Sequence, residues 1–224
     1  MDDTLRVALM LAYSYLVGSI PSAYLTSRLV RGIDIRAYGS GNVGASNVAR
    51  HVGKGYFVIV ATFDTLAKGA ASVALARVLG LDLEYQGIAA FLATIGHNWS
   101  IYIKFSGGRG ISVITGSLLV LAWKLLLPSL VVAIGGRLLF RSSALSVGIA
   151  VLLLPFWAFA LGEPPAILLF CLAIVVVIIL KRLLSNPGTA PPGLRWRDMI
   201  ISRLLYDRDT PLSGDWVKRT PDNA

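Results

Sequence analysis

Long apolar runs, each closed by a short polar stretch, set the pattern of this chain. They fall near 5–29, 56–79, 86–103, 111–123, 125–140, 143–161 and 164–180. A helix needs roughly 20 apolar residues to cross a hydrocarbon core about 30 Å thick. The runs are continuous, as from Ala166 to Leu180, whereas the strands of a lipid-facing barrel alternate. The pattern predicts an all-α fold, a polytopic transmembrane helix bundle of about seven spans. Six is the alternative, because the stretch from Ile111 to Phe140 is broken only by Lys124, Pro128 and Arg137 and each half is short for a crossing.

Composition agrees, since 55% hydrophobic and 15% charged residues among 224 do not describe a water-soluble domain. The formal charge of +9 is unevenly spread. With seven spans, Arg28, Arg31, Arg36, Arg50, Lys54, Lys104, Arg109, Arg137, Arg141 and every basic residue after Leu180 share one face. The other face keeps Arg6, Arg77 and Lys124 beside Asp2, Asp3, Asp82, Glu84 and Glu163. Retention of Lys and Arg in cytoplasmic loops then places the N-terminus outside and the C-terminus in the cytoplasm. Six spans would scatter the basic loops over both faces. So much positive charge on a membrane bundle suits anionic lipid or anionic substrates and argues against nucleic acid.

Residues 1–184 read as one seven-span domain and 185–224 as a cytoplasmic tail. In the tail, Trp196 to Tyr206 is amphipathic, with Arg195, Arg197 and Arg203, and is expected on the lipid surface or partly disordered. Asp2 and Asp3 stand where a signal peptide would be basic, so a cleaved leader is not expected. Cys171 is the lone cysteine and reads as a small apolar side chain. The histidines, His51 and His97, belong to no cluster with metal-ligand spacing, and neither a metal nor a cofactor is expected.

Chemistry is concentrated in two polar segments. The first runs from Gly39 through Ser40, Gly41, Asn42, Val43, Gly44, Ala45, Ser46, Asn47, Val48 and Ala49 to Arg50. Glycines at this density let backbone N–H groups converge on an anion, and Ser40, Asn42, Ser46 and Asn47 add donors beside the charge of Arg50. Gly and Asn are also ordinary turn residues, but a segment this polar between apolar helices is costly unless it lines a wet cavity. The second runs from His97 to Gly110. Gly107, Gly108 and Gly110 permit a tight turn around an oxyanion, Arg109 offers a bidentate grip, and the following helix points its N-terminal dipole there. By the expected topology both segments emerge on the cytoplasmic side.

Asp64 and Lys68 lie one helical turn apart inside a span and read as a structural ion pair. Arg141, Ser143 and Ser146 gather at the cytoplasmic start of the sixth span, where hydroxyls could add donors to the same pocket. The alternative for Ser143 is a helix cap.

Over roughly residues 5 to 185 the chain resembles the bacterial acyl-phosphate:glycerol-3-phosphate acyltransferases, the PlsY type. The resemblance rests on Gly18-Ser19-Ile20-Pro21, on Asp34-Ile35-Arg36, and on Gly39 through Arg50, with Ser46 where the family usually has threonine. It extends to Asp64 with Lys68-Gly69 and to His97 through Gly110, where Arg109 replaces the usual lysine. The family's third motif, a His and an Asn just after the last span, is altered. Here the chain reads Lys181-Arg182-Leu183-Leu184-Ser185-Asn186, with no histidine, Asn186 shifted by one residue and no acidic residue following.

The resemblance implies acyl transfer from acyl phosphate to the 1-hydroxyl of glycerol 3-phosphate, giving lysophosphatidate and phosphate in phospholipid biosynthesis. It implies orienting roles for Ser40, Asn42, Ser46 and Arg50, assisted by Gly41 and Asn47. Gly107, Gly108, Arg109 and Gly110 would hold the glycerol 3-phosphate phosphate, with His97 at that loop and Ser143, Ser146 and Asn186 as further contacts. No hydroxyl or thiol has a histidine base placed in sequence to activate it, which favours direct attack without an acyl-enzyme. The expected partners are the two substrates and the bilayer of the bacterial inner membrane, with the site facing the cytoplasm; no protein partner is indicated. The runner-up readings are a membrane anion or phospholipid transporter, for which no inverted repeat is evident, and a catalytically weakened homologue.

Overall fold

The computed structural model describes residues 3–184, 195–209 and 220, and every regular element among them is helical. In chain order the α-helices are α1 (Asp3–Ser19), α2 (Ser22–Arg31), α3 (Ala45–His51), α4 (Lys54–Phe63), α5 (Ala71–Val78) and α6 (Leu83–Asn98). There follow α7 (Ile111–Leu121), α8 (Leu126–Phe140), α9 (Ser143–Leu152), α10 (Leu154–Ala160), α11 (Pro165–Leu184) and α12 (Trp196–Tyr206). Among the described residues, five helical stretches are long and apolar enough to cross a membrane: Asp3–Arg31, Lys54–Val78, Trp123–Phe140, Ser143–Ala160 and Pro165–Leu184. Ile111–Leu121 is apolar but shorter. The stretch expected near 86–103 closes as α6 at Asn98, where the chain turns into a 3₁₀ turn at Ile101–Ile103.

Two of the expected spans are not regular helices. Pro21 has no N–H to continue the ladder, so the first run divides into α1 and α2, with the Ser22 amide bonded to the Ile20 carbonyl at 2.9 Å. Between α4 and α5, Asp64–Ala70 forms a π-helical turn. Such widened turns inside α-helices often accompany functional sites. Irregular backbone at membrane depth is tolerated where it lines a polar cavity, and both interruptions do so here.

Backbones approach each other closely where glycine allows it. A Cβ on Gly18 would overlap the Ala93 backbone and one on Gly96 the backbone of Tyr15 and Ser19, which draws α1 against α6. In the same way Gly69 faces Val113 and Ser117 while Gly116 faces Thr65 and Ala70, joining the π turn to α7. Lipid supplies no hydrophobic drive between helices, so contacts of this kind and the van der Waals packing they permit hold such bundles together. The main apolar core gathers Val73, Leu118, Leu125, Leu154, Ile167, Phe170, Cys171 and Ile174. α8 buries none of its residues, a surface that water would penalise and lipid accepts.

α12 packs on α11 and α9. Arg182 donates to the Leu204 carbonyl at 2.5 Å and to the Ala144 carbonyl at 2.6 Å. Arg203 donates to the Leu183 carbonyl at 2.7 Å and pairs with Asp209 at 2.6 Å. The amphipathic stretch is a helix, α12, bonded to the end of α11.

Candidate active site

The first polar segment is held from below by an apolar layer and from within by one amide. Ile35, Val43, Ala45, Val48, Val52, Val60 and Ile103 form a separate buried cluster under it. The Asn47 Nδ2 donates to the carbonyls of Ile35 at 3.2 Å, Tyr38 at 2.9 Å and Asn42 at 3.1 Å, closing the loop on itself. At its base Asp34 accepts a forked pair of bonds from Arg36, Nε to Oδ1 at 2.9 Å and Nη2 to Oδ2 at 2.7 Å. The Arg36 guanidinium also lies over the Tyr24 ring, 5.2 Å from its centroid, and donates to the Ile103 carbonyl at 3.4 Å. Hydrogen bonding to Arg36 holds the Asp34 carboxyl below its usual value. Gly39 and Gly41 take left-handed φ of 53° and 66°, which glycine adopts without strain.

The second segment folds back against the end of α6. The Gly108 amide donates to the His97 carbonyl at 3.0 Å, and the Ser100 amide to the Ser106 carbonyl at 3.0 Å. A Cβ on Gly107 would overlap the His97 and Asn98 carbonyls, and one on Gly108 the His97 imidazole at Nε2. Gly110, at φ 74°, faces Thr94 and the Asn98 amide, and α7 starts immediately after it. Lys104 and Phe105 both hold positive φ, 56° and 58°, which is costly for side-chain-bearing residues and marks a turn imposed by its surroundings.

The two segments touch. The Val43 amide donates to the Gly107 carbonyl at 3.3 Å. Beside that bond lies a cavity lined by Ser19, Ser22, Lys68, His97, Ser100 and Gly107, with Ile20, Pro21, Val43 and Ile103 as its apolar walls. Its floor is a buried charge network. Lys68 Nζ lies 2.6 Å from Asp64 Oδ1, 3.4 Å from Ser22 Oγ and 3.3 Å from His97 Nδ1. Ser22 in turn donates to Asp64 Oδ1 at 2.6 Å. Only 1% of Lys68 and of Asp64 is exposed. The Ser100 hydroxyl ties the second segment to α1 through the Ser19 carbonyl at 2.5 Å.

The expected site residues other than Asn186 have definite places. Ser40 accepts from the Asn42 amide through its Oγ at 3.3 Å, which leaves its hydroxyl hydrogen to donate. Ser46 and Arg50 lie on the exposed side of α3, and Gly41 is in the turn between them and Ser40. Asn47 spends its amide N–H groups on loop carbonyls. Arg109 is buried, but its Nε lies 2.7 Å from Asp207 Oδ1 and its Nη1 donates to the Lys181 carbonyl at 3.3 Å. The grip expected on a phosphate is engaged by a carboxylate from the tail. Arg141, Ser143 and Ser146 sit at the α8–α9 turn and do not line the cavity. Ser142 caps α9 instead, accepting from the Leu145 amide at 3.3 Å, and Ser146 donates to the Ser142 carbonyl at 2.7 Å. Asn186 lies outside the described residues. Asp64 and Lys68 are the ion pair the spacing indicated, and Lys68 is also cavity wall.

Reading the sequence missed Ser19, Ser22 and Ser100 as lining residues. The signal for the first two was present: a Ser-Ile-Pro-Ser run interrupts an apolar span, and the freed backbone groups at such a break need a polar neighbour.

A polytopic helical bundle with a buried polar cavity beneath two Gly-rich turns defines the class as an integral membrane protein. The glycerol-3-phosphate acyltransferase family model matches residues 8–186. Glycerol-3-phosphate acyltransferase 5 of Dehalococcoides mccartyi is 38% identical over 220 residues, covering 94% of this chain and 92% of that protein. Glycerol-3-phosphate acyltransferase 1 of Deinococcus radiodurans is 44% identical over 159 residues, covering 68% of this chain and 79% of its own length. Among solved structures, PlsY, an integral membrane glycerol 3-phosphate acyltransferase, superposes in its glycerol 3-phosphate form with a TM-score of 0.71. The identity is 28%, and the match covers 79% of this chain and 88% of that one. Its lysophosphatidic acid form superposes at 0.72 with 29% identity. The chain belongs to the glycerol-3-phosphate acyltransferase family and is an acyltransferase.

Proposed function

We propose that the chain transfers an acyl group from acyl phosphate to the 1-hydroxyl of glycerol 3-phosphate, releasing lysophosphatidate and inorganic phosphate. The observation that carries this reading is the contact between the two Gly-rich turns, Val43 N–H to Gly107 carbonyl at 3.3 Å, which brings both turns to the edge of one cavity. Two phosphate groups, one on each substrate, match the two turns. Relatives that cover nearly the whole chain carry the name glycerol-3-phosphate acyltransferase, which supports the acceptor.

The reaction proceeds by direct attack. The acceptor hydroxyl oxygen bonds to the acyl carbonyl carbon, the carbon–oxygen bond to the phosphate leaving group breaks, and the hydroxyl proton passes to a substrate phosphate oxygen. Among the described residues no hydroxyl or thiol is hydrogen bonded to His97, and Cys171 is enclosed in the apolar core, which supports the absence of an acyl-enzyme. The donor is already activated, so the protein contributes positioning and charge stabilisation. Ser40, Asn42, Ser46 and Arg50 orient the reacting groups. Gly107, Gly108 and Gly110 cradle the glycerol 3-phosphate phosphate, and His97 donates to it.

The membrane is the bacterial inner membrane, crossed about seven times, with the N-terminus outside and the site on the cytoplasmic side. The distribution of Lys and Arg supports that orientation. Presenting purified protein with glycerol 3-phosphate and, in turn, palmitoyl phosphate and palmitoyl-coenzyme A tests the donor. Lysophosphatidate should form from the acyl phosphate alone; formation from the thioester alone would overturn the donor assignment. A stable acylated protein trapped on omitting glycerol 3-phosphate would overturn direct attack.

A further inference from the structure

Lys68 sits in the wall of the cavity with its ammonium turned toward three acceptors. An ammonium carries three N–H donors and no acceptor. Asp64 Oδ1, Ser22 Oγ and His97 Nδ1 lie at 2.6, 3.4 and 3.3 Å from Nζ and account for one hydrogen each. Ser22 can accept because its own hydrogen goes to Asp64 Oδ1, at 2.6 Å. This assignment leaves no room for a hydrogen on His97 Nδ1: a proton there would face the ammonium, and burial makes opposed donors expensive. A neutral imidazole then carries its proton on Nε2.

The opposite edge of the ring meets the second Gly-rich turn. His97 is 8% exposed and lines the cavity. Its Nε2 has no hydrogen-bond acceptor among the described residues and lies where a Cβ on Gly108 would fall. The backbone of the same turn is bonded to the His97 carbonyl through the Gly108 amide at 3.0 Å, so ring and turn are fixed to each other.

We infer that Lys68 is a positioning residue: with Asp64 and Ser22 it locks His97 in the Nε2–H tautomer, and that N–H is a donor to a phosphate oxygen held by the Gly107–Gly110 turn. The π-helical turn at Asp64–Ala70 carries both members of the Asp64–Lys68 pair at the cavity floor. The charged groups around the imidazole are Asp64 and Lys68 on that turn, with Lys181 on α11 adding a more distant positive charge. The inference rests on the glycerol 3-phosphate reading of the cavity.

The chain has two histidines, His51 and His97, so ¹⁵N-histidine labelling of the full protein in bilayers gives two imidazole spectra, and His51→Asn assigns them. The expected result is a bare Nδ1 and a protonated Nε2 on His97 in the unliganded protein, with the Nε2–H signal moving when glycerol 3-phosphate is added. Protonation at Nδ1, or an Nε2–H signal indifferent to bound glycerol 3-phosphate, overturns the inference. Failure of glycerol 3-phosphate to bind at all overturns the substrate reading instead. Kinetics provide a second test. His97→Ala should raise the KM for glycerol 3-phosphate about tenfold or more with a smaller change in kcat. His97→Gln, whose amide nitrogen reaches the Nε2 position, should restore most of the loss, and equal damage from both variants contradicts a donor role. The neutralised pair Asp64→Asn with Lys68→Met avoids an unpaired buried charge, and it should mix the two tautomers and raise the same KM. An unchanged tautomer in a folded double variant removes Lys68 from the scheme.

Discussion

Arg109, in the second Gly-rich turn, has its guanidinium Nε 2.7 Å from the carboxylate of Asp207, which follows the tail helix. The pair is nearly enclosed, with side-chain exposures of 9% and 18%, and Asp207, the C-cap of α12, has a left-handed φ of 56°. Removing one partner of a buried ion pair leaves the other charge uncompensated. Asp207→Asn should therefore release α12, seen as faster amide exchange over 196–206, and should raise the KM for glycerol 3-phosphate as the Arg109 turn loses its support. Unchanged exchange would show that the pair does not anchor the tail.

Ser40 and Asn47 belong to one loop and should fail differently. Ser40 keeps a hydrogen to donate, so Ser40→Ala should lower kcat by roughly a hundredfold with the melting temperature in detergent intact. Arg50→Ala, on the exposed side of α3, should behave alike. Asn47 holds three loop carbonyls, and Asn47→Ala should cost about 1–3 kcal/mol of stability as those groups lose their donor. Equal melting temperatures for the Ser40 and Asn47 variants would contradict this division.

Gly108 has no space for a side chain, because a Cβ would overlap His97 Nε2. Gly108→Ala should displace the imidazole and raise mainly the KM for glycerol 3-phosphate. An effect confined to the acyl donor would exchange the two pockets.

The base of the first loop should be sensitive to acid. Bonding to Arg36 lowers the Asp34 pKa from 3.8. A lowered carboxylate stabilises the fold fully above its unfolded value, and that contribution is lost as pH falls through the folded one. Acid inactivation of the wild type should accordingly include a component below about pH 4. Asp34→Asn lacks the contribution at every pH, so its stability should be lower at neutral pH and converge with the wild type in acid. Parallel curves that never converge would rule the pair out.

Much of this fold follows from the apolar runs, since continuous runs of this length satisfy their backbone in lipid as helices. The breaks in the runs were harder to place. Pro21 signals the end of α1, but no residue type marks the π turn at Asp64–Ala70, where Gly69 and Gly116 let the turn and α7 approach closely. Both Gly-rich turns were legible from their glycines and polar donors. Their contact through Val43 and Gly107 was not, being a backbone bond between distant segments. Lys68 read as half of an ion pair because spacing on one helix shows Asp64 and cannot show His97, which arrives from α6. The pairing of Arg109 with Asp207 was not legible either, its partner lying far along the chain in the tail.

Acyl transfer is proposed to take place at the cavity between the two turns. The direct measurement is to mix purified protein in bilayers with palmitoyl phosphate and labelled glycerol 3-phosphate and to quantify lysophosphatidate and inorganic phosphate together. Equal amounts of both products, abolished by Ser40→Ala and by Arg50→Ala, are the predicted result. Absence of labelled lysophosphatidate from folded protein, in bilayers and in detergent alike, would contradict the account.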